Sequence, residues 1–349
     1  MGYRVLILIQ GTDIAASRYR ILQYIPFLQS HGLGCDVHTF PSGIHHYWSL
    51  FRALAGYDCV FVQRKRFHFP VLPFFRMRAK RIVYDLDDAV MYRNSLGKSP
   101  YSRTRERRFR NMVRSCDAVV AGNTFLMEKV QAYTPNVVVI PTSIPVDRYS
   151  VKDYSIRKEK ITIGWIGDHG SIHYLERLKP VWNEIGRRFS GKVELKIICD
   201  TFFDCEEIPV RKVPWSDLTE VVELQDIDIG VMPLIDDPWS WGKCGLKILQ
   251  YYGAGVPAVC TPVGINRDVV SDGRNGFWAR TDEEWVKKIS VLIEDDELRE
   301  RMGIAGRKTL EEAYTDRVNS LKILGVIKPE GSVSLHPLHI DSPGRIVLN

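Results

Sequence analysis

No stretch of the chain runs apolar for the ~20 residues that a membrane-spanning helix needs. The apolar opening at 4–9 gives way to polar residues too soon for a secretory leader. No Cys/His cluster has the spacing of a zinc site. The seven cysteines are odd in number and show no paired spacing, which predicts reduced thiols in a cytoplasmic protein. The dinucleotide fingerprint Gly-x-Gly-x-x-Gly is missing after either of the two strands that open a strand–helix series. Gly167-Asp168-His169-Gly170 has two glycines at the wrong spacing, which argues against a nicotinamide-dependent oxidoreductase. There is no internal repeat, and no nucleic-acid motif accompanies the positive charge, so nucleic acid is not an expected partner.

What is present points to two globular domains. The chain has 349 residues, beyond the usual size of one domain, and a balanced composition. Its charge is uneven. Residues 1–150 hold 21 Lys and Arg against 10 Asp and Glu, a net of +11, whereas the remainder nets −5. The basic half therefore suits an anionic partner, such as a lipid headgroup or a diphosphate.

Apolar runs without alternation at 4–9, 37–40, 59–63, 81–85, 118–121 and 137–140 read as strands covered on both faces. Helical spacing separates them, as in Tyr19, Leu22, Ile25 and Leu28. The pattern restarts at 161–167 after a polar linker at 145–160, with a helix at 172–188, strands at 193–199 and 227–232, and helices at 282–294 and 297–313. Strand, helix, strand in repetition means an α/β chain of two doubly wound Rossmann-like domains facing each other across a cleft. The expected division is 1–150, 151–314, a closing helix within 315–327 and a tail at 328–349. Such sheets bind ligands beyond the carboxyl ends of their strands.

The most informative stretch is 242–259. Gly242 breaks the chain, Lys247 to Tyr252 has helical spacing, Gly253 and Gly255 end the helix, and Pro257 leads into the strand Ala258-Val259-Cys260. A helix N-terminus offers unpaired N–H groups and partial positive charge to a phosphate. Lys243 and Lys247 are four residues apart, hence on one face, and two amines there can balance a diphosphate. The plainer reading is a solvated lysine pair on a surface helix.

Continued through Thr261-Pro262-Val263-Gly264-Ile265-Asn266 and Asp272-Gly273-Arg274-Asn275-Gly276-Phe277, the stretch resembles the donor-binding segment of GT-B glycosyltransferases. It is most similar to the retaining family 4 group. The resemblance implies a GT-B fold and metal-independent transfer of a sugar, with retention, from a nucleotide-sugar donor to a glycan or lipid-linked acceptor. It implies no cofactor. The implied setting is synthesis of a cell-surface polysaccharide or glycolipid, peripheral on the inner face of the membrane. By the same resemblance Lys243 and Lys247 neutralise the donor diphosphate, Lys247 also acting in catalysis, and backbone at Gly11 and Gly167 closes on the phosphates.

Several positions depart from the family pattern. Gln250 stands where the family usually has a ribose-binding glutamate, and Gly242 replaces the glutamate eight residues earlier. Asp168, His169 and Ser171 occupy places where arginine and lysine are common. These departures keep two rivals open: a non-catalytic GT-B scaffold beside an active transferase, and a nucleotide-sugar epimerase.

Tyr84-Asp85-Leu86-Asp87-Asp88-Ala89 directly follows an apolar strand, at the mouth of the expected cleft. Asp87 or Asp88 is expected to take a proton from the acceptor hydroxyl or to hold a sugar hydroxyl. A metal-binding Asp-x-Asp and a turn capped by aspartates are the competing readings. Arg18 and Arg20, in the first turn of the basic half, are expected to grip anionic groups of the acceptor. The arginine run from Arg103 to Arg114, with Tyr101 and Phe109, is expected either to lie on an anionic membrane or to form a solvated face.

Overall fold

The computed structural model describes residues 2–156 and 158–329, with the backbone of the short pair Ile340–Asp341 and Arg345–Ile346. The expected tail at 328–349 lies mostly outside the described residues.

Strands β1 (Tyr3–Ile9), β2 (Leu33–Thr39), β3 (Cys59–Gln63), β4 (Ile82–Leu86), β5 (Ala118–Ala121) and β6 (Val137–Val139) form one sheet in the order β2-β1-β3-β4-β5-β6. Every neighbouring pair is parallel. Leu6 and Leu8 enter one core while Val5, Ile7 and Ile9 enter the core on the opposite face. Successive side chains of a strand point to opposite faces, so a sheet covered on both sides requires an unbroken apolar run. Each such side chain contributes about 1.5–3 kcal/mol on burial.

A second parallel sheet takes β7 (Ile161–Ile166), β8 (Val193–Cys199), β9 (Val210–Pro214), β10 (Ile229–Met232), β11 (Ala258–Cys260) and β12 (Gly276–Trp278) in the order β12-β11-β10-β7-β8-β9. Two expectations change. The helix expected at 172–188 is two helices, Ile172–Glu176 and Lys179–Arg188, because Pro180 suits only the first turn of the second. The edge strand β9 and the helix Glu220–Gln225 were not anticipated. β9 reads Val-Arg-Lys-Val-Pro, with only part of its surface covered, so it lacks the apolar run of its neighbours.

The final described helix, Asp316–Ile327, starts under a Thr315 side-chain cap on the Val318 N–H, 3.2 Å away. It returns to the first sheet. Ile323, Val326 and Ile327 share a core with Val5, Ile7 and Phe61. The Tyr3 hydroxyl donates to the Ile327 carbonyl at 2.9 Å.

Candidate functional site

One wall of the site is built where β7 and the helix Leu246–Gly253 meet. Gly245 precedes that helix at φ 71°, a left-handed conformation that glycine adopts without steric cost. It supplies no side-chain cap. The N–H groups of Leu246, Lys247 and Ile248 have no acceptor among the described residues, the first intrahelical bond being from Leu249 to the Gly245 carbonyl at 3.2 Å. The Lys247 amine lies over the Trp165 ring, 5.3 Å from its centroid. It has no hydrogen-bond acceptor or ion-pair partner among the described residues. Burial pushes its pKa below the ordinary 10.5, with Lys243 adding to the effect and Asp168 opposing it. Gly167, at the end of β7, presses against the same tryptophan: a Cβ there would fall 2.2 Å from the indole. Lys247, Trp165, Gly167 and the open helix end thus converge.

The facing wall is the carboxyl end of β4. Three aspartates in four residues are buried there, and each faces a cation. Arg20 reaches Asp85 at 2.6 Å and also donates to the Ile140 carbonyl at 2.8 Å. Arg64 pairs with Asp87 and lies 3.0 Å from Asp88. Lys243 crosses from the second domain to Asp88 at 2.8 Å. Burial opposes the Lys243 charge, but Asp88 outweighs it and raises the amine pKa. Burial likewise pushes Asp88 up, yet Arg64 and Lys243 together hold its pKa below the usual value. Asp85 shifts upward, since its burial exceeds what Arg20 returns.

Arg64 was missed in the sequence. The register offered a signal: Gln63 of β3 pairs with Asp85 of β4, so the next residue on β3 must lie beside the acidic run. Arg64 sits at φ 51°, rare for a side-chain-bearing residue, held by its N–H on the Asp85 carbonyl at 2.9 Å.

The expected acceptor arginines face elsewhere. Arg20 is 2% exposed and committed to Asp85, so it offers nothing to a ligand. Arg18 stacks on Trp215 at 4.9 Å and reaches Glu220 at 3.1 Å, binding one domain to the other. Glu220, also unanticipated, is a buried carboxylate accepting from Tyr19 at 2.6 Å, Tyr149 at 3.1 Å and the Trp215 indole at 2.8 Å. Burial pushes Glu220 up, and the Tyr19 and Arg18 contacts more than reverse this, lowering its pKa. Gln250 is buried beside Tyr149, at the edge of this cluster. Gly11 follows β1 in the loop that leads to Arg18.

Close packing explains Gly242. A Cβ there would lie 2.5 Å from the Ala89 nitrogen, across the domain boundary. A Cβ on Gly122 would fall 2.3 Å from the Cys244 sulfur. Asn123 donates to the Trp241 carbonyl at 3.2 Å and to the Lys243 carbonyl at 3.0 Å. The loop before the helix is therefore seated on the first domain, and a glutamate at 242 has no room in this arrangement. His173 lies near Lys243 and has neither ring nitrogen hydrogen-bonded among the described residues. Burial, then Lys243, lowers its pKa, which favours the neutral imidazole.

The helix Arg103–Arg114 forms where the arginine run predicted helix or loop. Phe109, however, is buried in the core, because its spacing with Met112 and Val113 makes the inner face of that helix, and only Tyr101 is exposed. Among the described residues no helix is long and apolar enough to cross a membrane.

Residues 211–309 match the family described as glycosyl transferases group 1. No curated protein matches the sequence. Among solved structures, Anabaena HepE in complex with UDP and glucose is similar at 15% identity and TM-score 0.70, over 92% of this chain and 98% of that one. Sucrose-phosphate synthase from Thermosynechococcus elongatus is similar at 12% identity and TM-score 0.68, over 92% and 97%. WaaG, a glycosyltransferase involved in lipopolysaccharide biosynthesis, is similar at 11% identity and TM-score 0.66, over 93% and 100%. At such identities the likeness is one of fold. The chain has the two-domain GT-B fold, and the stretch 211–309, which matches the group 1 glycosyl transferase family, includes Lys243, Lys247 and Gln250.

Proposed function

We propose that the chain moves a sugar from a nucleotide-sugar donor to an acceptor hydroxyl with retention of configuration. The carrying observation is Lys247: a half-buried amine without an ion-pair partner among the described residues, beside three unpaired helix N–H groups and a glycine at a strand end. A cation partly withdrawn from water without a partner is disfavoured, and an incoming diphosphate supplies the missing charge.

In this reading the diphosphate lies on Gly167, the N–H groups of Leu246 to Ile248, and Lys247, with Gly11 on the opposite wall. As the bond from the anomeric carbon to the phosphate oxygen breaks, negative charge grows on the leaving group. Lys247 and the N–H groups are placed to stabilise that charge without reorganisation. Asp88, held ionised by Arg64 and Lys243, is a weak base. The acceptor proton then passes to the departing diphosphate, while Asp87 and Asp88 orient Arg64 and Lys243 and hold sugar hydroxyls. The three carboxylates already face three cations, which supports a metal-independent reaction.

The complex of HepE with UDP and glucose supports a nucleotide-sugar donor, and the lipopolysaccharide role of WaaG supports an envelope glycan or lipid-linked acceptor. Peripheral contact with an anionic membrane belongs to the same reading, carried by the basic first half.

Incubation of the full chain with a panel of nucleotide sugars and simple glycan acceptors, followed by NMR of the product anomeric centre, tests the proposal. Transfer with retained configuration is expected. An inverted product overturns retention, and folded protein that neither binds nor turns over any nucleotide sugar overturns the whole reading. A second reading, a GT-B scaffold that binds nucleotide without turnover, is favoured by Gly242 and by the Lys243–Asp88 pair, which occupies one of the two expected donor lysines. Conversion of the donor without an acceptor identifies an epimerase.

A further inference from the structure

Apart from the lysine site, a second concave region lies at the edge of the second sheet, and its chemistry differs. A cavity of ≈ 210 Å³ opens past the carboxyl ends of β10, β11 and β12, with Arg177, Arg267 and Arg280 in its lining and Asp236 beside them. A second cavity of ≈ 290 Å³ shares Asp236 and Arg267 and adds Trp241 and Phe125, the latter from the first domain. The two volumes together fall within the range of roughly 300–1,000 Å³ usual for small-ligand sites. The groove lies where open parallel sheets bind ligands.

Two features of this groove bear on its ligand. None of its three arginines has an ion-pair partner among the described residues, so all three guanidinium charges are available to an anion. Arg267 donates through Nε to the Pro262 carbonyl, which leaves its terminal nitrogens unengaged. Asp236 is occupied by the Trp241 indole N–H at 2.6 Å. That bond also fixes the tryptophan, which meets Phe125 edge-on at 5.5 Å between centroids and stays partly exposed. The groove thus offers an aromatic wall that spans both domains and a fork of guanidinium groups at one end. An aromatic face suits the apolar face of a sugar ring, and guanidinium forks suit carboxylate or phosphate bidentately.

We propose that this groove holds an anionic saccharide, a sugar chain bearing carboxylate or phosphate groups, as the acceptor segment remote from the reacting hydroxyl. The proposal rests on the transferase reading for the word acceptor, and on the groove alone for the ligand class.

The test is titration of the full chain with three probes, followed by tryptophan fluorescence and calorimetry. Tetragalacturonate carries carboxylates, glucose 6-phosphate carries phosphate, and maltotetraose is the neutral reference. At least one acidic probe is expected to bind about tenfold or more tightly than maltotetraose. Arg177→Gln with Arg280→Gln is expected to erase that preference, and added salt to weaken it. The same substitution at Arg110, on the arginine helix, is expected to leave it intact. Whichever acidic probe binds identifies the anionic group. The proposal is overturned if all three probes bind alike, if none binds to protein that still binds a nucleoside diphosphate, or if the double variant keeps the preference. Nucleotide binding is read in the same samples. Its absence, with an acidic probe still bound through the arginines, overturns the transferase reading and with it the acceptor role.

Discussion

The carboxyl ends of the two sheets differ in how their charges are settled. At the end of β4 in the first sheet, Asp85, Asp87 and Asp88 are matched by Arg20, Arg64 and Lys243, in part from the other domain. At the end of β7 in the second, Lys247 faces no carboxylate within ion-pair distance among the described residues, and the helix end beside it is uncapped. The first arrangement has spent its electrostatic capacity on the protein itself and holds two domains in register. The second retains charge for something absent from the chain. Saturated charges build structure and unsaturated ones bind. The contrast also separates the two lysines expected on one helix face: Lys243 lies in the loop before Gly245, outside the helix Leu246–Gly253 that carries Lys247. Lys243 is held by Asp88 and shifted upward, whereas Lys247 is free and shifted downward.

The comparison can be broken most forcefully at Arg20. Arg20→Met leaves Asp85 buried without its partner, and a loss of about 3–5 kcal/mol in unfolding free energy is expected by denaturant titration. Arg20→Met combined with Asp85→Leu should recover most of it. An unchanged midpoint in the single variant would show that the pair is not structural.

Lys247→Ala should do the reverse. Stability of the free protein is expected to hold or rise slightly, while transfer falls by about 10²–10³ in kcat, the scale seen on removing one donor to a developing oxyanion. Activity assays beside thermal melts separate the two effects.

Gly242→Glu introduces the residue that the resembled family carries, yet should not raise activity. Its side chain collides with Ala89, so a loss of about 1–3 kcal/mol from overpacking is expected in the melt. An active, equally stable variant would mean that the loop is not seated on the first domain as described.

The smallest effect is in pH. The depressed Lys247 pKa means that the unfolded chain binds more protons between that pKa and the ordinary 10.5, so this residue makes stability rise with pH across that window. Nucleotide affinity should fall over the same window as the ammonium is lost. Lys243, shifted upward, contributes fully below 10.5 and loses its contribution only above it. Comparing melts of Lys247→Met and Lys243→Met along an alkaline series should give slopes of opposite sign relative to the parent chain.

Much of the fold was legible because its signal is local. Strands buried on both faces tend to be apolar throughout: β5 matches its apolar run end to end, and β3 and β8 keep the expected bounds while carrying Gln63 and Glu194 with Lys196. β9 escaped because an edge strand is relieved of that requirement and carries Arg211 and Lys212. The donor stretch was legible for the same local reason: glycine, helix and strand follow one another in sequence. The partners were not. Arg20 as a core residue follows only from Asp85, 65 positions away, and Glu220 meets Tyr19 across 201. Surface and core arginines look alike in sequence, and only a buried acid nearby in space distinguishes them.

The account turns on the Lys247 site, and thermal melts with UDP, GDP, ADP, dTDP and CMP at millimolar concentration test it most directly. A ligand at ~100 times its dissociation constant stabilises the native state by about 2.7 kcal/mol. The account predicts a raised midpoint with at least one of these nucleotides, abolished by Lys247→Ala and kept in the Arg177→Gln, Arg280→Gln variant. A cooperative melt that no nucleotide moves, or a shift that survives Lys247→Ala unchanged, would contradict it.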